Sequence, residues 1–209
     1  MTPPTVNAYY NPSNNEIVFP AGILQAPFFN PNADDAVNYG AIGAVIGHEM
    51  THGFDDQGKQ FDAQGNLRDW WTPADSKNFA SRAQCIVDEY SSLEPIPGVH
   101  DKGELVQGEA IADLGGLTIA YKAFERTAQA KAHKMIDGYT PEQRFFLSFA
   151  QVWRAAQTEA EIRQRAQTDP HPNPKLRVIG TLSNMPEFQA AFKCAATDKM
   201  VRKNACRIW

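Results

Sequence analysis

Val45-Ile46-Gly47-His48-Glu49-Met50-Thr51-His52-Gly53 is the stretch on which the rest of the chain depends. If it is helical, four positions turn the chain through about 400°, a little over one turn. His48 and His52 then stand on one face, and their imidazoles can reach a single ion. Zn²⁺ suits neutral imidazole nitrogens. Glu49 lies one residue on and points to the side, where it can serve water as a general base without binding the metal. A plainer alternative is a chance surface turn. The apolar sequence before His48 argues against it, because two histidines on a buried helix need partners.

Working outward, Asn32-Ala33-Asp34-Asp35 supplies an N-cap and an acidic first turn. The spacing predicts a helix from about Asp35 to His52, with Gly53 as its C-cap. Gly40, Gly43 and Gly47 fall inside it at 3–4 spacing and predict one smooth stripe for a neighbouring backbone. Upstream, Val6-Asn7-Ala8-Tyr9-Tyr10 and Glu16-Ile17-Val18-Phe19 flank Asn11-Pro12-Ser13-Asn14-Asn15, which predicts a hairpin. Ile23 to Phe29 is an apolar connector. Downstream, Asp62-Ala63-Gln64-Gly65-Asn66 resembles half a calcium loop, but it lacks the later bidentate Glu and is expected to be a plain turn.

Thr72-Pro73 opens a helix whose apolar face is Phe79, Ala83, Ile86, Val87 and Tyr90. A further long helix is expected from near Val106 to about Ala132. Thr140-Pro141-Glu142-Gln143 is a capping box opening a helix to about Ala156, and Thr158 to Gln167 continues as helix. Glu159–Arg163 and Glu161–Arg165 are i,i+4 pairs on a solvated face. Asp169 to Pro174 is a proline-fixed loop, and Asn184-Met185-Pro186-Glu187 caps a last helix through about Cys194. Helix dominates, with strand signal at the N-terminus, which gives an α+β, mostly helical class.

The 209 residues, 43% apolar, suit one domain with a sizeable core. A net charge of −4 offers no electrostatic case for nucleic acid. The longest apolar run, Ala41 to Gly47, is too short to span a bilayer, and no signal-peptide pattern follows Met1. Cys85, Cys194 and Cys206 show no zinc-finger spacing. The odd count leaves a thiol free or paired outside the chain, and three buried thiols in a reducing compartment remain an alternative.

A catalytic zinc needs a third protein ligand. The best candidate is Glu109, on its own predicted helix with Asp113 at i+4 on the same face. One carboxylate could bind the ion while the other accepts the second N–H of a ligand imidazole. Alternatively, both merely stabilise the N-terminal end of a helix.

Val6-Asn7-Ala8-Tyr9-Tyr10, Ile17 to Gln25, Gly47 to Asp56, Gly108-Glu109-Ala110-Ile111-Ala112-Asp113 and the terminal Cys206-Arg207-Ile208-Trp209 occur in this order. Together they resemble the catalytic domain of the neprilysin and endothelin-converting-enzyme family of zinc metallopeptidases, over nearly the whole chain. The resemblance implies a thermolysin-like fold of the gluzincin type, with one Zn²⁺ per chain. It implies that His48, His52 and Glu109 bind the metal and that Glu49 is the catalytic glutamate. Asp113, and by the same logic Asp55, would orient the ligand histidines. Asn7 and Ala8 would bind the substrate backbone, His171 would stabilise the oxyanion, and Arg177 would contact a substrate carbonyl. Ile23, Phe28, Val45, Val152 and Trp153 would line the pocket for the residue after the cleaved bond. Without the resemblance, His171 is a loop histidine and the pocket residues are core. His100 and His133 have no counterpart.

The same resemblance implies a Cys85–Cys206 disulfide, a partner for Cys194 in an N-terminal lobe this chain does not contain, and an extracytoplasmic setting. Residues 1–209 are thus expected to be the C-terminal catalytic part of a longer protein. Its partners would be peptide substrates and, besides them, the N-terminal lobe or a second copy. The expected activity is endopeptidase cleavage of oligopeptides on the amino side of large hydrophobic residues. The alternatives are a fragment inactive without its lobe and a zinc-stabilised binding module. Glu49 and His171 argue against the module, since a purely structural site needs neither.

Overall fold

A computed structural model describes residues 1–209. The hairpin forms: β1 (Tyr9–Asn11) pairs antiparallel with β2 (Glu16–Val18) in a two-stranded sheet, with Tyr10 opposite Ile17. One edge of β1 therefore has no partner strand. The remaining architecture is helical, so the mostly helical α+β class holds.

The helix through the histidines is continuous but not uniform. It begins as α1 (Asp35–Asn38), capped by the Asp34 carboxylate, which accepts the Val37 N–H at 3.0 Å. It then widens into a π-helical segment over Tyr39–Gly43 and resumes as α2 (Ala44–Thr51). Gly53 is not the C-cap. The chain tightens into a 3-10 turn over His52–Phe54 and leaves at Asp55, whose Oδ1 accepts the N–H groups of Gln57 and Gly58. The glycine stripe also divides. A Cβ on Gly40 would strike the Phe145 backbone, whereas one on Gly47 would strike Gly116. The wide turn between them rotates the two contacts onto different neighbours.

Helix α3 (Pro73–Ser92) buries the predicted face of Phe79, Ala83, Ile86, Val87 and Tyr90. It packs on α4 (Gly103–Phe124), the central helix, which crosses α2 at the Gly47–Gly116 contact. With no side chain at either position, the two backbones touch. α4 stops short of Ala132, because Thr127 accepts the Ala130 N–H and starts a separate short helix, α5 (Ala128–Lys131). α6 (Pro141–Val152) has the predicted capping box but ends before Ala156. Thr158 then caps α7 (Glu159–Thr168) as a separate element. Ser148 Oγ donates to the Val37 carbonyl at 2.7 Å and Arg144 pairs with Asp34 at 2.7 Å, which ties α6 to α1.

Residues 174–183 form a helix that no sequence expectation covers. In α8 (Pro174–Ser183), Asn173 caps by accepting the Lys175 N–H, and Pro174 takes the first position. α9 (Pro186–Ala191) is shorter than expected and ends before Cys194. The core gathers Tyr90, Phe124, Phe145, Phe146, Phe149, Leu117 and Leu176 between α3, α4, α6 and α8. Cys85 and Cys206 are bonded, joining α3 to the C-terminal segment, and Cys194 is free. Asp62 Oδ1 accepts N–H groups from Gln64 and Asn66, with Gly65 at φ +77°, so this segment is the plain turn expected. No helix is long and apolar enough to cross a membrane.

Candidate active site

α2 and α4 meet with the candidate site residues facing. His48 and His52 come from successive turns of one helix, and their Nε2 atoms lie 3.0 Å apart. Each ring is held from behind: His48 Nδ1 lies 2.8 Å from Asp113 Oδ1, and His52 Nδ1 lies 2.6 Å from Asp55 Oδ2. A carboxylate can only accept, so each Nδ1 carries the proton and each Nε2 presents a lone pair. Two lone pairs that close repel unless a proton or a metal cation lies between them. Tetrahedral zinc with Zn–N of about 2.0–2.1 Å separates two nitrogens by about 3.3 Å, so the pair fits.

Glu109, from α4, completes the donor set, with Oε2 3.2 Å from His48 Nε2 and Oε1 3.6 Å from His52 Nε2. Burial would raise its carboxyl, but His48, then Arg177 and His52, hold it well below the usual carboxylate range. Glu49 also has an atom within 4.8 Å of both histidine donors, so distance alone would admit it as a ligand. Its environment says otherwise. Burial raises its pKa, the histidine charges only partly offset this, and no hydrogen bond engages its carboxylate. The same cavity thus drives the two carboxyls in opposite directions, Glu109 down and Glu49 up.

Burial would push the His48 imidazole down, but its bonds to Asp113 and Glu109 prevail and lift it to about 9. A cation on Nε2 competes with that proton and releases it. Asp113 is buried, yet Arg177 and His48 keep its pKa low. Arg177 donates to it through Nε and Nη2, both at 2.7 Å, and Nη2 also reaches Glu109 at 3.4 Å. Nη1 makes no hydrogen bond to protein, and the guanidinium stacks 3.8 Å from the Trp153 ring centre. α8 therefore delivers Arg177 beneath the donor set.

A cavity of about 480 Å³ opens over these groups. Asn7, Ala8, Ile23, Phe28, Val45, Val152, Trp153, His171 and Arg177 all line it, alongside His48, Glu49, His52, Asp55, Glu109 and Asp113. Asn7 and Ala8 lead directly into β1, on the chain whose outer edge has no partner strand. His171 is exposed, unlike His48, His52 and Glu109, with Nε2 3.4 Å from Glu109 Oε1. Its Nδ1 is 2.8 Å from Asp169 Oδ1, a partner that the sequence expectations did not single out. Its signal was there: an acidic residue two before a histidine in a proline-fixed loop. Phe149 also lines the apolar end and reads as core in sequence. His100 and His133 lie elsewhere, beside Glu94 and Glu142 on the surface.

Comparison with known proteins agrees with this geometry. The family model of peptidase family M13 matches residues 7–208. An endothelin-converting enzyme homolog of Locusta migratoria is 48% identical over 212 aligned residues, covering 100% of this chain and 29% of the relative. Endothelin-converting enzyme 1 of Rattus norvegicus is 45% identical, covering 100% of this chain and 28% of that enzyme. The crystal structure of a zinc metalloprotease of Mycobacterium tuberculosis in complex with an inhibitor superposes with a TM-score of 0.93 at 46% identity. It covers 100% of this chain and 33% of that one. The chain thus spans about a third or less of the length of these relatives.

Proposed function

The chain belongs to peptidase family M13, and from that membership we propose that it is the zinc-dependent endopeptidase unit of its protein. Its substrates would be oligopeptides cut on the amino side of large hydrophobic residues. One observation carries the proposal: two histidine Nε2 atoms 3.0 Å apart face an ionised Glu109, while Glu49 remains uncommitted beside them.

His48, His52 and Glu109 would hold one zinc per chain. Zinc bound there supplies Lewis acidity, polarising a carbonyl and lowering the pKa of water toward about 7. The protein's own groups do the rest. Glu49 takes the proton of the attacking water and later hands it to the departing amine. His171 as imidazolium, through Nε2–H, and the free Nη1–H of Arg177 are donors for the carbonyl oxygen as negative charge develops on it, a preorganised electrostatic contribution. Asp113 and Asp55 keep both ligand rings in one tautomer. The peptide adds as a strand along Asn7 and Ala8, where backbone donors and acceptors are available. Ile23, Phe28, Val45, Val152 and Trp153 receive the side chain that follows the cleaved bond.

The Cys85–Cys206 bond suits an oxidising compartment, so we place the protein outside the cytoplasm. A preceding lobe of the same protein would enclose the cavity and restrict entry to short peptides. The test is zinc analysis together with hydrolysis of a quenched peptide series. Zinc bound at one per chain, chelator-sensitive turnover, and at least about tenfold preference for Phe or Leu over Asp after the cleaved bond are expected. Zinc without turnover of any peptide would sink the enzymatic reading for this chain alone. Turnover with no preference would sink the pocket assignment.

A further inference from the structure

His171 reaches the cavity on a loop whose support lies outside it. Its side chain is 44% exposed, so packing does not fix the ring. The loop follows α7, a helix with one buried residue, Ala166. The last turn of α7 carries Arg165. Arg165 Nη2 lies 2.7 Å from Asp169 Oδ2, and the Asp169 N–H donates to the Arg165 carbonyl at 2.9 Å. Asp169 turns its other oxygen to His171. Oδ1 accepts the His171 backbone N–H at 2.9 Å and faces Nδ1 at 2.8 Å. Contacts thus run from the surface of α7 to the cavity through one carboxylate whose two oxygens have separate partners.

We infer that Arg165 is a positioning residue for His171. The last torsion of an Asp side chain is broad and nearly two-fold, so a carboxylate held at one oxygen can turn. By gripping Oδ2, Arg165 keeps Oδ1 on Nδ1 and so keeps Nε2 turned to the cavity. This rests on the proposed role of His171 toward the developing oxyanion. A neighbouring pair on the same helix provides the contrast. Arg163 binds Glu159 and reaches nothing in the site. Arg165 also has Glu161 Oε1 within 3.7 Å of Nη1, a looser contact than the one to Asp169. The Arg165–Asp169 pair is part-exposed, so its effect is small, about two- to fivefold.

The experiment uses the zinc-loaded full chain. Arg165→Gln should lower kcat about two- to fivefold with KM unchanged, Arg165→Lys should recover most of it, and Arg163→Gln should match wild type. A readout independent of turnover is the proton–nitrogen NMR signal of His171 Nδ1–H, which should broaden by exchange in Arg165→Gln and persist in Arg165→Lys. A wild-type kcat in Arg165→Gln, an unchanged His171 signal, or an equal loss in Arg163→Gln overturns the inference. If the wild-type chain itself shows no turnover, the endopeptidase reading fails instead, and the NMR comparison alone decides the role of Arg165.

Discussion

Glu49 and Glu109 are the same residue type lining the same cavity, and their surroundings drive them in opposite directions. Burial without a hydrogen-bond partner raises Glu49, and histidine and arginine neighbours lower Glu109. Glu49→Gln should therefore keep its zinc and lose turnover by at least about 10²–10⁴, read by metal analysis beside peptide hydrolysis. Near-normal activity would remove Glu49 from the chemistry. Asp113 serves two partners, His48 and Arg177. Asp113→Ala should weaken zinc binding about 10–100-fold, because His48 loses its orienting partner. It should also destabilise the fold by about 3–5 kcal/mol, because a buried guanidinium loses its main counter-charge. Competition for zinc against a chelator and urea unfolding of the same variant separate the two effects.

At the level of elements, the closeness of α2 and α4 depends on two missing side chains. Gly116→Ala would place a Cβ against the backbone of His48, and Gly47→Ala would do the same toward Gly116. Either should cost about 1–3 kcal/mol and separate Glu109 from the histidines. A lowered urea midpoint together with weakened zinc binding is the expected result, and unchanged zinc affinity would show that the contact does not set the donor spacing. The sequence discloses much of this layout. The His48–His52 spacing at the end of α2, the capping box at Thr140 and the apolar face of α3 are local patterns, and each appears where expected. What stayed hidden depends on the folded chain. The prolines around Asn173 read as loop, although Asn173-Pro174 is a cap followed by a favoured first helical residue, so the helix carrying Arg177 is not legible in them. The division of the glycine stripe needs the wide turn at Tyr39–Gly43, which no residue periodicity reveals. Asp169 gains meaning only when His171 is seen to enter the cavity.

Across the whole molecule, the C-terminal segment is bound back onto α3 at several points, among them Arg82 Nη1, which donates to the Ile208 carbonyl at 2.9 Å. Cys206 bonds Cys85 across a sequence separation of 121, worth up to about 4–5 kcal/mol in the chain-entropy limit. Beside it, Glu89 is buried and receives Asn184 Nδ2 at 2.6 Å, Ser183 Oγ at 3.2 Å and Arg202 Nη1 at 3.0 Å. A Cys85→Ser/Cys206→Ser variant should unfold at lower urea by most of the disulfide contribution, and an unchanged midpoint would assign the tail's hold to its non-covalent contacts with Glu89 and Arg82. Burial nonetheless raises Glu89 above the ordinary 4.5, against its three partners. The sign follows from proton counting. Between 4.5 and the raised value, the folded state holds more protons than the unfolded one, so this group lowers stability as pH rises through that window. Glu89→Gln should lack that slope. Urea midpoints of both proteins from pH 4.5 upward should show wild type losing ground relative to the variant. Parallel curves would mean that Arg202 and Asn184 fully compensate the buried charge.

The wide turn at Tyr39–Gly43 also makes residue count a structural quantity. Each residue of a regular helix advances the direction of the side chains by about 100°. The extra residue held in the π segment is what lets Asp34 and Gly40 meet α6 while Gly47 and His48 meet α4. Deleting one residue here would yield a more regular helix by every local criterion. It would also put its two ends out of phase with their partners by about 100°. Removing Ile42 should therefore harm folding far more than Ile42→Ala, although both lose the same side chain. The frame of the chain is under constraint here as much as its chemistry.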